Sequence, residues 1–273
     1  MKVVRHRDTG EIVAELDVGT LAGATLAGAS LAYADLRGAD LRGADLRHAD
    51  LCNADLREAH FDGATLTGAD ITLSTTAGTT FSRARLDDAR IQATNKRYTG
   101  IVGIDFRGAD LTRVTLKNSD LNGSTFANAI LNRADLTRCN LSNADLTGAE
   151  LNDVCFMSAN LAGARLAHAS LVGASLTGVN LEGASLEGAD LSLASLNGAR
   201  LAGADFSGSL WSKTSLARCA GLDLARGFEC VRYGDPSAID LASLRTAIAV
   251  LPDEFLAHCG IEAGELLALR GVR

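Results

Sequence analysis

Residues 39–51 read Ala-Asp-Leu-Arg-Gly-Ala-Asp-Leu-Arg-His-Ala-Asp-Leu, and the interval of five between Leu41, Leu46 and Leu51 decides the architecture. The same phase holds outward through Leu21, Leu26, Leu31 and Leu36 on one side and Leu56, Phe61, Leu66 and Ile71 on the other. It returns with Phe106 and Leu111 and runs to Phe206, Trp211 and Leu216. Two residues before most central positions stands a small one, as in Ala39, Ala44 and Ala49, with Cys139, Val154 and Val179 among the larger exceptions. Five residues advance an α-helix by about 140° and send a strand's side chain to the opposite face. The repeat is therefore one side of a larger coil, the mark of a solenoid whose units bury their apolar residues only by stacking.

The stretches ADLRGADLRGADLRHADL (34–51) and NRADLTRCNLSNADLTGAEL (132–151) resemble the pentapeptide-repeat proteins. That resemblance implies four pentapeptides per square right-handed coil, with the leucine and the preceding small residue pointing inward. The expected fold is an all-β solenoid, a right-handed quadrilateral parallel β-helix of about ten coils and about 50 Å. Its expected parts are an N-terminal capping β-hairpin (1–20), the repeat array (21–219) and a small C-terminal α-helical cap (220–273).

Within 3–16, Asp8-Thr9-Gly10 suits a hairpin turn, and a hairpin laid across the first coil would block its open edge. Gly38, Gly43, Gly63 and Gly68 fall two residues after a central position, where the chain turns a corner. The pattern weakens over 72–100, where Thr76 and Lys96 take central positions twenty residues apart. A bulge of that side, or one or two five-residue loops leaving it, is expected, and 94–100 is the better loop candidate. After Leu216 the period stops. Ser237 is the expected cap of a helix reaching Leu251, Pro252-Asp253 opens a second helix ending before Gly260, and 261–270 suits a third. The phrases SAIDLASL and LPDEFLAHCGI also resemble a segment that follows the repeats in some bacterial TIR-domain proteins.

No phosphate-binding glycine loop, nucleophile elbow or zinc-protease motif occurs, and a convex rod offers few concavities for catalysis. Glu254 and His258 share a helix face, a pairing more often structural than catalytic. No enzyme activity, cofactor or metal site is expected. The six cysteines show no ligand spacing and read as free thiols, which suits a reducing cytoplasm. No apolar run reaches a membrane span, and 1–20 lacks a signal peptide's apolar centre. A sequence pI near 5.2 lacks the basic footprint of direct nucleic-acid binding.

Counting twenty residues per coil throughout, Asp45, Asp105 and Asp145 share one side, while Asp50, Asp70, Asp110 and Glu150 share its neighbour. The side with Leu36, Leu56 and Leu136 inward is basic through Arg37, Arg57, Lys96, Arg97 and Lys117. Ile130, Val172, Leu193 and Leu210 form an outward apolar stripe that suits a homodimer or another partner, or is merely scattered exposure. Some pentapeptide-repeat proteins are rods with DNA-like negative surfaces that bind type II topoisomerases and protect them from inhibitors. The resemblance implies a non-catalytic protein-binding rod with DNA gyrase or topoisomerase IV as partner. The acidic sides would make the contact, joined by Lys96, Arg97 and Tyr98 as a projecting loop. The alternative is a scaffold for another protein, through its sides or its helical cap.

Overall fold

The computed structural model describes residues 2–16, 19–91 and 103–271. Each pentapeptide makes one corner. Leu46 to Ala49 form a β-turn closed by the Ala49 N–H on the Leu46 carbonyl at 3.0 Å, and its third residue, His48, is left-handed with φ 56°. Between corners a single residue such as Asp45 is extended and bridges in parallel to residues twenty positions away, Thr25 and Thr65. The Asp45 N–H donates to the Ala24 carbonyl of the coil before at 2.9 Å, and the Leu46 N–H to the Thr65 carbonyl of the coil after at 2.7 Å. Four corners close a coil.

This winding turns every central residue inward. Leu46, Leu51, Leu111 and Leu146 are all 0% exposed, and burying each stabilises the tube by roughly 1.5–3 kcal/mol. Along most of the tube the residue two before the central one is also buried, though Ala29 and Ala39 are only partly so. Ser74 Oγ donates to the Leu51 carbonyl at 2.6 Å, and Thr79 Oγ1 to the Leu56 carbonyl at 2.8 Å. Four phenylalanines, Phe61, Phe81, Phe106 and Phe126, stack along one side with ring centroids 4.9, 5.4 and 5.0 Å apart.

That phenylalanine ladder contains the main departure from a strict period. Phe81 and Phe106 are neighbours although twenty-five residues separate them, and the bridges Thr80 with Asp105, Arg85 with Asp110 and Arg90 with Thr115 show the same offset. From Asp105 as far as the bridge of Arg200 with Ala220 the offset is again twenty. One extra pentapeptide therefore lies between Ile91 and Ile104. The expected loop at 94–100 falls outside the described residues, as do Lys96, Arg97 and Tyr98. At Thr76, in contrast, no bulge forms: its corner is regular, its side chain is 2% exposed, and its Oγ1 is buried without a hydrogen-bond partner.

At the start, β1 (Lys2–Arg5) and β2 (Ile12–Leu16) pair antiparallel, and His6 bridges to Ala34. The Asp35 N–H donates to the Arg5 carbonyl at 2.7 Å, a bond that a preceding coil would otherwise supply. At the far end the winding outlasts the period. Parallel bridges continue from Arg200 to Ala220 and from Asp205 to Arg226. The short strands β3 (Leu210–Trp211) and β4 (Ser215–Leu216) then pair with β5 (Arg232–Tyr233) and β6 (Ala238–Ile239). Corresponding positions Ala220, Arg226, Arg232 and Ala238 advance by six, so an apolar count in fives misses this coil.

The first helix is shorter than the sequence predicts. α1 spans Leu241–Ala247, and its cap is Asp240, whose carboxylate accepts the Ser243 N–H. Ser237 instead lies buried before β6, where its Oγ accepts the Thr214 N–H at 3.2 Å. α2 (Asp253–His258) and α3 (Ala263–Gly271) follow. Phe255 of α2 meets Trp211 edge-on at 5.4 Å and Phe228 at 4.7 Å, closing the core with aromatic rings.

Two substitutions test these forces. Thr76→Val removes an unsatisfied buried hydroxyl at nearly constant shape and should stabilise the protein by about 1 kcal/mol, read as a higher urea midpoint. Leu193 is 57% exposed and left-handed at φ 61°, a conformation costing a non-glycine residue about 1–2 kcal/mol. Leu193→Gly should therefore raise the melting temperature, and a lowered one would show that the corner carries no strain.

Candidate partner-binding surfaces

The extra pentapeptide changes which residues share a side. Every position after it is rotated by one side relative to a strict count of twenty. The first side now joins Asp45 to Asp110 and Glu150, through the bridges Asp45–Thr65, Thr65–Arg85, Arg85–Asp110, Asp110–Ile130 and Ile130–Glu150. The second joins Asp50 and Asp70 to Asp135. The third carries Asp35 and Asp55 before the insertion and Asp120, Asn140, Asn160 and Asn180 after it. The fourth joins Asp40 and His60 to Asp105 and Asp145.

The sequence-based grouping is therefore corrected on three counts. Asp45 does not share a side with Asp105 and Asp145. Asp50 and Asp70 are separated from Asp110 and Glu150. The basic side dissolves, because Arg37 and Arg57 lie on the third side while Lys117 follows Leu116 on the second. No periodicity could reveal this, since the phase of five survives an insertion of five.

Charge pairing further divides the candidate acids. Arg47 holds Asp45 through Nε at 2.8 Å and a second nitrogen at 2.6 Å, and that bond keeps the carboxyl at about 2. Arg107 grips Asp105 in the same way and lowers its pKa. For Asp145 and Asp70, burial opposes ionisation, but hydrogen bonds from Thr147 and Thr72 respectively, with nearby Arg165 and Arg90, leave both lowered. These four carboxylates are largely neutralised by their partners. Asp50, Asp110 and Glu150 form no ion pair among the described residues: Asp50 accepts the Cys52 N–H, Asp110 the Thr112 hydroxyl, and Glu150 the Asn132 amide. Asp190 on the first side, and Asp62 and Glu187 on the fourth, are likewise without an ion pair among the described residues.

The third side is organised differently. Asn140 donates to Asp120 at 2.9 Å, Asn160 to Asn140 at 3.1 Å and Asn180 to Asn160 at 3.1 Å, so each amide saturates its neighbour along the rod. Sequence reading missed this ladder, although asparagine recurring every twenty residues marks it.

Chemically reactive groups do not converge. Cys139 and Cys219 are buried, and Cys52 and Cys155 half-buried, all as free thiols. Burial, followed by Asp70 and Asp50, pushes the Cys52 thiol up to about 12, and burial alone does the same for Cys259. His258 packs against Tyr233 with the rings tilted and their centroids 4.7 Å apart, and bonds Ser237 Oγ through Nε2 at 3.0 Å, while burial lowers its pKa. Ser237 is only 6% exposed, so this contact fastens α2 to the last coil. Among the described residues no group of histidine, cysteine and carboxylate side chains could hold a metal, and no helix is long and apolar enough to cross a membrane.

Comparison with known proteins places this geometry. A pentapeptide repeat region model matches residues 109–186, and a model of eight-copy pentapeptide repeats matches 20–57, 39–75 and 174–210. No curated protein matches. Among solved structures, the pentapeptide repeat protein Rfr23 from the cyanobacterium Cyanothece 51142 is 40% identical, with a TM-score of 0.31 over 31% of this chain and 58% of that one. The chain thus matches somewhat over half the length of Rfr23. HetL from Nostoc sp. PCC 7120, involved in heterocyst differentiation regulation, is 27% identical over 81% of this chain and 92% of its own, with a TM-score of 0.26. QnrB1, a plasmid-mediated fluoroquinolone resistance protein, is 17% identical over 83% and 93%, with a TM-score of 0.37. With the two repeat models together covering more than half of its length, the chain belongs to the pentapeptide-repeat family, whose members form right-handed quadrilateral β-helices.

Proposed function

We propose that this protein is a non-catalytic rod that binds another protein along its first and fourth sides, and that the partner is a type II topoisomerase, DNA gyrase or topoisomerase IV. The observation that carries the reading is the set of carboxylates on these adjoining sides that form no ion pair among the described residues: Asp110, Glu150 and Asp190 on the first, Asp62 and Glu187 on the fourth. Two neighbouring faces of one rod that both lean negative can enter a basic groove together, and the complementary potential raises the rate of encounter. The family resemblance supports a topoisomerase groove as the acceptor, since such grooves are built to hold a negatively charged rod. A second contact reading rests on the helical end, where Leu241 and Val250 are 63% and 59% exposed.

Purified protein added to DNA gyrase should slow supercoiling or relieve fluoroquinolone poisoning. Asp62→Asn with Glu187→Gln should weaken that effect roughly tenfold, given modest gains per exposed charge. Asp50→Asn on the second side should leave it unchanged. Absence of any effect at large protein excess rules out gyrase; repeating the assay with topoisomerase IV tests the other enzyme. Loss of partner capture in Leu241→Ser with Val250→Ser, alongside intact capture by the acid variants, would move the contact to the helical end.

A further inference from the structure

The outward row of the first side, beyond the insertion, reads Asp110, Ile130, Glu150, Ser170, Asp190, Leu210, each one coil above the last. Val172 and Leu193 lie at its edge, and Leu193 is 57% exposed. It is an unpartnered sheet face in which the acids alternate with Ile130, Ser170 and Leu210. The nearby Arg85, Arg113 and Arg133 pair with Asp87, Asp88 and Asp153, and the three row carboxylates form no ion pair of their own among the described residues.

Spacing selects the occupant. Adjacent coils are about 4.8 Å apart, which sets the acids about 10 Å apart along the rod. An extended strand presents side chains to one face about every 6.8 Å and falls out of step. An α-helix rises about 10.5 Å in seven residues and returns to the same face, with its positions three and four residues on lying between. The row spans about 24 Å, or about 16 residues of helix.

A second copy of this chain does not fit. A two-fold contact is self-complementary, so the row would pair antiparallel with itself. In one register Asp110 meets Leu210 and Asp190 meets Ile130, desolvating carboxylates against apolar side chains. Shifted by one coil, Asp110 meets Asp190 and Glu150 meets Glu150, setting like charges together.

We infer that the first side between Asp110 and Leu210 is a docking face for a basic amphipathic helix of a partner protein, with cations seven residues apart and apolar residues midway. This rests on the protein-binding reading above and names the kind of segment the partner presents. The cations meet Asp110, Glu150 and Asp190, while the apolar residues cover Ile130, Leu210 and the edge at Leu193.

The test uses the whole protein and a synthetic helical peptide of about 18 residues, with lysines seven apart and leucines midway, followed by fluorescence anisotropy. A peptide of identical composition with its lysines clustered at one end is the comparison. The spaced peptide should bind at least about tenfold more tightly and weaken with added salt. Combined Asp110→Asn, Glu150→Gln and Asp190→Asn should cost about tenfold. Leu193→Asn, which eases a left-handed corner and so keeps the fold, should cost several-fold. Asp62→Asn with Glu187→Gln on the fourth side should change nothing. Equal binding of the two peptides, or an unchanged affinity in the triple variant, would overturn the inference, as would self-association abolished by Leu193→Asn. A gyrase effect that survives the triple variant while peptide binding fails removes this inference and confines the broader reading's contact to the fourth side.

Discussion

The main-chain ladder between coils is the constraint on which everything else here depends. At each extended position one N–H reaches down to the coil before and the next reaches up to the coil after, as Asp45 does to Ala24 and Leu46 to Thr65. A corner every five residues lets this chain meet its own backbone again with the same side chains inward. Leucine at the centre and a small residue two places earlier follow from the room left inside the square. Where the small residue is polar, the same ladder can supply a carbonyl to receive it, as for Ser74 on Leu51 and Thr79 on Leu56, though Ser119 Oγ is left without one. Thr76 lacks such a bond, which makes it a local weakness in the core.

A ladder of this kind tolerates an extra unit only if it is whole. Five added residues between Ile91 and Ile104 leave the inward and outward alternation untouched, because the next pentapeptide begins in the same phase. What they change is direction: every later residue faces the side next to the one it would otherwise occupy. The unbroken stack from Phe61 to Phe126 shows that the tube closes over the change, with the rings of Phe81 and Phe106 still in contact. Surface chemistry is thereby shuffled while the core is preserved. The row of Asp110, Ile130, Glu150 and Leu210 stands above Asp45 and Thr65 because of that insertion.

Charge on this rod is a matter of pairing more than of counting. Asp45 and Asp105 are each clasped by the arginine two residues on, within the same corner, so the ADLR motif carries its own neutralisation. At Asp110 and Glu150, which lack that arginine, the carboxylate bonds a neutral group and forms no ion pair among the described residues. The face that suits a partner is thus the one whose outward acids beyond the insertion, Asp110, Glu150 and Asp190, lack an arginine two residues on. It is also the face where isoleucine and leucine replace polar residues at outward positions.

The period of five, read from Leu21 to Leu216, was enough to determine the tube, its inward residues and its corners, because those depend only on local phase. The free state of Cys139 and Cys219 and their burial followed from the same phase. The tertiary structure alone decided which outward residues become neighbours, since that depends on how many residues lie in each coil and not on their pattern. It also decided the last coil, where steps of six from Ala220 to Ala238 keep the ladder but break the apolar count. The cap of α1 fell to Asp240 for a related reason: Ser237 was drawn into the coil by the Thr214 N–H, an acceptor role set by a residue twenty-three positions earlier. Sequence phase is a property of nearby residues, whereas register is a property of distant ones, and only the folded chain brings those together.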